Sequence, residues 1–193
     1  MNNLENLNGE IKKQNEDFAK MTKPQQRVII ASDCIIRIEA NQIIPRAGSI
    51  VNKDTIRGSM YKHNIADLKT LLEGDIERCT ACAKGGLFLS CVGRVNKFNV
   101  AQLDGTNSQR GAEHLKLLEF FTVKQLAVIE MAFEGGQYIG NNEYWDKGSS
   151  IVRLTERDKQ RARNFYTKYM NEPEERLLAI CRNIVKNGGT FKL

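Results

Sequence analysis

The sequence has few residues that interrupt helices and few that commonly do chemistry. Only three prolines occur, at positions 24, 45 and 173, so long stretches are free of residues that remove a backbone donor and break a helix. The two histidines, His63 and His114, stand in unlike contexts and fit no metal-ligand spacing. No GxSxG, no HExxH and no glycine-rich phosphate loop is present, which removes the common hydrolase, zincin and P-loop constellations. No apolar run approaches the roughly 18 residues that a membrane span needs. The first twenty residues, MNNLENLNGEIKKQNEDFAK, lack the apolar segment of a secretory signal. These absences lead to the expectation of a cytoplasmic protein with no membrane partner.

What is present describes an ordinary globular chain. With 193 residues, 41% hydrophobic and 27% charged, it can bury one sizeable core. The five cysteines (34, 79, 82, 91 and 181) are odd in number and lie in apolar, helix-patterned segments. They read as reduced thiols packed like small hydrophobes rather than as a disulfide framework. Residues 1–20 carry only a weak helical period and read as a mobile segment or one that orders against a partner or a second copy of the chain. Residues 21–193 form a single helical domain.

Helix start and stop signals recur along that domain. Thr22, Pro24 and Gln25 open a helix whose face is Val28, Ala31, Ile35 and Ile38, widened by Ile29 and Ile36, ending near Asn41. Residues 42–62 hold Pro45, Gly48 and Gly58 and read as an ordered loop with room for a short hairpin. A helix capped by Asn64 and Asp67 ends at Gly74, and a core helix runs from about Cys79 to Phe98. Ser108 opens another through Phe121. Thr122 and Gln125 open the next, with Val123, Leu126, Ile129 and Phe133 on one stripe and Gly135 closing it. Residues 137–154 are the longest irregular stretch, and two helices follow at roughly 156–170 and 172–187. The fold class is all-α or mostly α, an irregular bundle of about six or seven helices.

Three features compete to carry function. The first is Cys79-Thr-Ala-Cys82. A structural zinc would use Cys79, Cys82 and Cys91, but a second CxxC is missing. A redox pair would need a preceding strand and a helix N-terminus, where the pattern here reads as continuous helix. On a helical projection Cys79, Cys82, Ala83, Gly86, Ser90 and Gly93 form a stripe of small residues, suited to close approach by a neighbouring helix. The cysteines are therefore read as spacers, with no metal and no cofactor assigned.

The second feature is basic. Residues 151–193 hold ten Lys and Arg against five Asp and Glu, whereas residues 1–150 hold 19 against 18. Arg157, Arg161 and Lys168 share one helix face, with Arg153 just before the helix and Arg163 within it. Arginines one turn apart can follow phosphates. The competing reading is a solvated face relieved by Glu156 and Asp158. The third feature is the aromatic loop, where Tyr144 and Trp145 could stack at the edge of an interface or fold back as a lid.

Two stretches, CTACAKGGLFLSCV at 79–92 and ERLLAICRNIVKNGGTF at 175–191, resemble uncharacterised helical proteins of bacteria and their phages. Those proteins share a C-x-x-C-A-x-G-x-L-F-like segment and a closing R-x-x-A-I-x-x-N-I-x-x-N-x-G-x-F-like segment. The resemblance implies a phage or mobile-element setting and carries over no catalytic residue. The expected function is a non-enzymatic binding protein acting on host machinery, such as a defence complex. Its partner is anionic (nucleic acid, nucleotide or acidic protein surface), and its contacts are Arg153, Arg157, Arg161, Arg163, Lys168, Tyr144 and Trp145. The alternatives are an enzyme acting on a nucleotide or nucleic acid, with Cys79 or His114 in its site, and a purely structural interaction protein.

Overall fold

A computed structural model describes residues 17–48, 51–53, 79–95, 116–135, 143–145 and 151–193. The fold is mostly helical, with five helices of twelve or more residues among the described residues. These are α1 (Lys23–Glu39), α2 (Ala83–Val95), α3 (Val123–Glu134), α4 (Glu156–Lys168) and α5 (Pro173–Lys186). Short helical turns cover 17–20 and 116–117. None of the helices is long and apolar enough to cross a membrane. The expected helices after Asn64 and from Ser108 lie outside the described residues, apart from the end of the latter, and so do residues 1–16 of the N-terminal segment.

The caps read from the sequence form. The Gln25 side-chain carbonyl accepts from the Thr22 N–H at 2.9 Å and from its hydroxyl at 2.8 Å, which ties the chain entering α1 to its first turn. At α3 the box is reciprocal: the Thr122 hydroxyl accepts from the Gln125 N–H at 3.2 Å, and the Gln125 carbonyl accepts from the Thr122 N–H at 3.0 Å. Gly135 closes α3 in a left-handed conformation (φ 69°). Thr155 caps α4 by accepting from the Asp158 N–H at 3.1 Å.

Two small sheets correct the sequence reading. Cys79–Ala81 is a strand, β3, not the first turn of the core helix. It lies between β1 (Ile43–Pro45), which runs parallel to it, and β2 (Val51–Lys53), which runs antiparallel. The segment 42–62 thus contributes two strands that flank β3 rather than a hairpin of their own. Pro45 is tolerated because β1 is, among the described residues, an edge strand. In the aromatic loop, β4 (Glu143–Trp145) pairs antiparallel with β5 (Ile151–Arg153), so a region expected to be irregular is a hairpin at its two ends. Three-residue strands are too short to print a two-residue period, and their pairing is non-local.

The core gathers around α2, which follows β3 directly and is buried on every side from Ala83 to Cys91. α1 packs against both α5 and α2, and α3 against α4. The buried face of α1 is centred on Ile30, Ala31, Cys34 and Ile38, while Ile36 is 59% exposed. The face is rotated from the one expected because Gln26 and Arg27 point inward, each held by backbone carbonyls. The stripe expected on α3 is buried as read: Val123, Leu126, Ile129 and Phe133.

The small-residue stripe survives only in part, because Cys79 is on a strand and Cys82 precedes the helix. Gly86 retains the role assigned to it. A Cβ there would sit 3.1 Å from the Cys34 sulfur and 3.4 Å from Leu177, so α1 and α5 both close on this point. Gly189 is more constrained still: its φ is 90°, and a Cβ would overlap the Pro24 carbonyl. Gly86→Leu and Gly189→Ala should each lower the urea midpoint, the loss of unfolding free energy being about 3 kcal/mol for the first through overpacking and about 2 kcal/mol for the second through backbone strain. An unchanged midpoint in either would contradict the packing described.

Candidate functional site: a basic helix and a buried ionic cluster

Helix α4 is set on the molecule by one buried side chain, Ala162, with Phe165 and Tyr166 half-buried beside it. Phe165 meets Phe191 edge-on at 5.4 Å and Tyr169 at 5.2 Å. With about 100° per residue, Arg157, Arg161 and Lys168 fall within about 40° of one another, well away from Ala162. Arg163 lies about 120° from Arg157 by the same geometry, on the opposite flank. All four are exposed. The structure therefore joins three of the expected basic residues and separates the fourth.

The acids that could have neutralised this face are engaged elsewhere. Lys159 holds Glu156 at 2.7 Å, and Lys124 of α3 holds Asp158 at 2.8 Å. These contacts keep both carboxyls below their ordinary values, through the hydrogen bond from Lys159 in one case and from Lys124 in the other. Among the described residues, Arg157 and Arg161 form no ion pair. Lys168 lies 5.3 Å from the Tyr169 ring. Arg153 is exposed on β5, directly before α4, opposite Glu143. Tyr144 and Trp145 are brought next to it by β4, opposite Val152 and Ile151; the structure describes the backbone of these two residues.

A second grouping escaped the sequence reading. Lys84 of α2 is 5% exposed and pairs with Glu130 of α3 at 2.8 Å. One turn on, Glu134 is equally buried and accepts from the Gly48 N–H at 2.9 Å. Arg176 of α5, 2% exposed, lies between two rings, 4.9 Å from Phe133 and 4.4 Å from Tyr166. It donates to the Tyr169 and Met170 carbonyls at 3.2 Å, and burial lowers its pKa. Burial, opposed by the Gly48 hydrogen bond, pushes Glu134 up to about 7. The sequence signal was there: Lys84, Glu130 and Glu134 are charges set in otherwise apolar helices, and such charges are rarely buried unless paired.

A strand does precede the helix, where the sequence read as continuous helix, but the cysteine motif straddles the two: Cys79 opens β3 and only Cys82 reaches the helix N-terminus. Cys82 sits at the cap of α2, yet burial and the neighbouring Glu134 push its thiol up to about 12. Burial does the same to Cys91. A thiolate is the reactive and metal-binding form, and both environments favour the neutral thiol. Among the described residues no group of three or more His, Cys, Asp or Glu is placed to hold a metal ion. His63 and His114 lie outside the described residues, as does the Cys79 side chain. Comparison with protein-family models, with curated proteins and with solved structures finds no match.

The four thiols Cys34, Cys82, Cys91 and Cys181 are all free and buried. In a Cys79→Ser variant at pH 8, Ellman's reagent should find no fast-reacting thiol in the native protein and four after denaturation. A fast native thiol would place a reactive cysteine where the structure has none.

Proposed function

We propose that the chain is a non-enzymatic binding protein that engages an anionic partner through the Arg157, Arg161 and Lys168 face of α4. The phosphate backbone of a nucleic acid is the partner form best suited to this face. One observation carries the reading: Glu156 and Asp158 are committed to Lys159 and Lys124, so the rail keeps its charge. From Arg157 to Lys168 the helix rises about 16 Å, which spans about five phosphates at the spacing of one strand. Arg153, Tyr144 and Trp145 flank one end of the rail, where a stacking contact would complement the ionic ones. Arg163, on the other flank, is peripheral to this contact. Action on host machinery in a phage or mobile-element setting belongs to the same proposal and rests on the resemblance of the segments 79–92 and 175–191.

Electrophoretic shift with random-sequence duplex and single-stranded oligonucleotides at 50 mM salt tests it. Binding should weaken steeply with salt. The triple variant Arg157→Ala, Arg161→Ala, Lys168→Ala should flatten the slope by about 0.9 for each duplex phosphate that it no longer neutralises. Arg163→Ala should leave both affinity and slope nearly unchanged. Absence of any shift at low salt would remove the nucleic-acid form of the proposal.

A further inference from the structure

Glu134 is the last residue of α3, and its burial opposes a negative charge more strongly than the Gly48 N–H, Arg176 and Lys84 favour one. Its carboxyl is buried, no basic residue occupies the last turn of α3, and the helix C-terminus disfavours an anion. Glu130 stands one turn earlier on the same helix and takes the Lys84 ammonium for itself at 2.8 Å. The groups that face Glu134 are Lys84 and the Cys82 thiol from the start of α2, Arg176 from α5, and the Gly48 N–H from the turn after β1. Tyr166 of α4 packs against the adjoining Gly135, where a Cβ would come within 2.7 Å of its ring. Arg176 is itself occupied by two carbonyls and two rings, so it offsets the charge without a direct ion pair. The hydrogen bond to Gly48 is the contact through which this carboxyl reaches the β1 side of the molecule. Gly48 has a φ of 74°, a turn conformation that glycine adopts without steric cost.

We propose that Glu134 is a proton-controlled latch: its neutral carboxyl holds the turn after β1 against the end of α3, and its ionisation favours release of that turn into water.

The direction follows from linkage. A carboxyl near 7 in the closed form and in the ordinary range near 4.3 when the turn is open and the group hydrated binds its proton more tightly when closed. The closed form is therefore fully favoured below the open-state value. It loses that advantage as pH rises, and the loss is complete above about 7. This is opposite to the sign of an ion-paired carboxylate. Between pH 6 and pH 8 the opening constant should rise about tenfold.

The test is hydrogen exchange of the Gly48 amide at pH 6 and pH 8, corrected for intrinsic exchange, in the native protein and in Glu134→Gln. The glutamine keeps an acceptor for Gly48 and cannot ionise. Wild type should show the tenfold rise in opening and Glu134→Gln a flat profile. An unchanged opening constant in wild type, or the same rise in the variant, would overturn the latch. Carbon-13 titration of the Glu134 carboxyl gives a second reading that needs no variant. A midpoint near 7 supports the latch, and one in the ordinary carboxylate range removes it.

Discussion

The guanidinium of Arg27 is the tie on which the arrangement of the ends depends. It is buried on α1, donates through Nε to the Gly189 carbonyl and through Nη1 to the Phe120 carbonyl at 2.8 Å, and lies 6.0 Å from the Phe121 ring. One side chain thus joins the first long helix, the turn that leads into α3 and the end of the chain. The consequences run onward from Gly189. Asn183 accepts from the Lys192 N–H and donates to the Lys192 carbonyl, both at 2.8 Å, which folds the last residues back along α5. That fold presents Phe191 to Phe165, one of the few side chains that seat α4. The exposed basic helix, packed chiefly against α3, is thus also linked through three short contacts to an arginine about 130 residues earlier.

Arg27 and Arg176 solve the same problem alike. Each is buried, each has its pKa lowered by burial, and each donates to backbone carbonyls and lies against aromatic faces rather than pairing with a carboxylate, although the Arg176 Nε has no hydrogen-bond partner among the described residues. A planar guanidinium suits this role because its donors are fixed in direction and its faces stack on rings. An ammonium could reach the carbonyls but would forfeit the stacking. Lys84, in contrast, takes a carboxylate partner in Glu130, and that pairing leaves Glu134 to a backbone amide.

What the sequence revealed was local. Thr22, Thr122 and Thr155, each followed three residues on by a partner for a cap, marked helix starts that the structure places within a residue or two. The α3 stripe and the close contact at Gly86 were legible for the same reason, since they depend on spacing within one segment. Cys79 was misread because Cys-Thr-Ala suits a strand as well as a helix, and what decides is pairing with Ile43–Pro45 and Val51–Lys53, both remote. The rotated face of α1 and the Lys84, Glu130, Glu134 and Arg176 cluster were hidden likewise: whether a charge is buried depends on partners that no window contains. The closing pattern of the chain also acquires a physical explanation. Arg176 lies against two rings, Asn187 donates to Asn183, Asn183 bonds the tail at Lys192, Gly189 meets Pro24, and Phe191 packs on Phe165. Those positions hold a fold together, so the pattern itself says nothing of chemistry.

Burial and pairing also redistribute the charge. Ten basic residues lie in the last quarter of the chain. Arg176 is removed from their exposed charge by burial, Lys159 by Glu156, and Arg182 is shared between Glu39 at 3.3 Å and Glu175 at 3.9 Å. The Arg182 pairs are exposed and contribute little to stability, yet they dilute the charge at the α1–α5 edge. Asp158 and Lys124 of α3 cancel in the same way at the first turn of α4. Positive charge is thus withdrawn from α5, while Arg157 and Arg161 on α4 keep theirs. A partner of opposite charge would meet a narrow rail rather than a diffuse patch, and a rail can orient an extended polyanion where a diffuse surplus could only attract it.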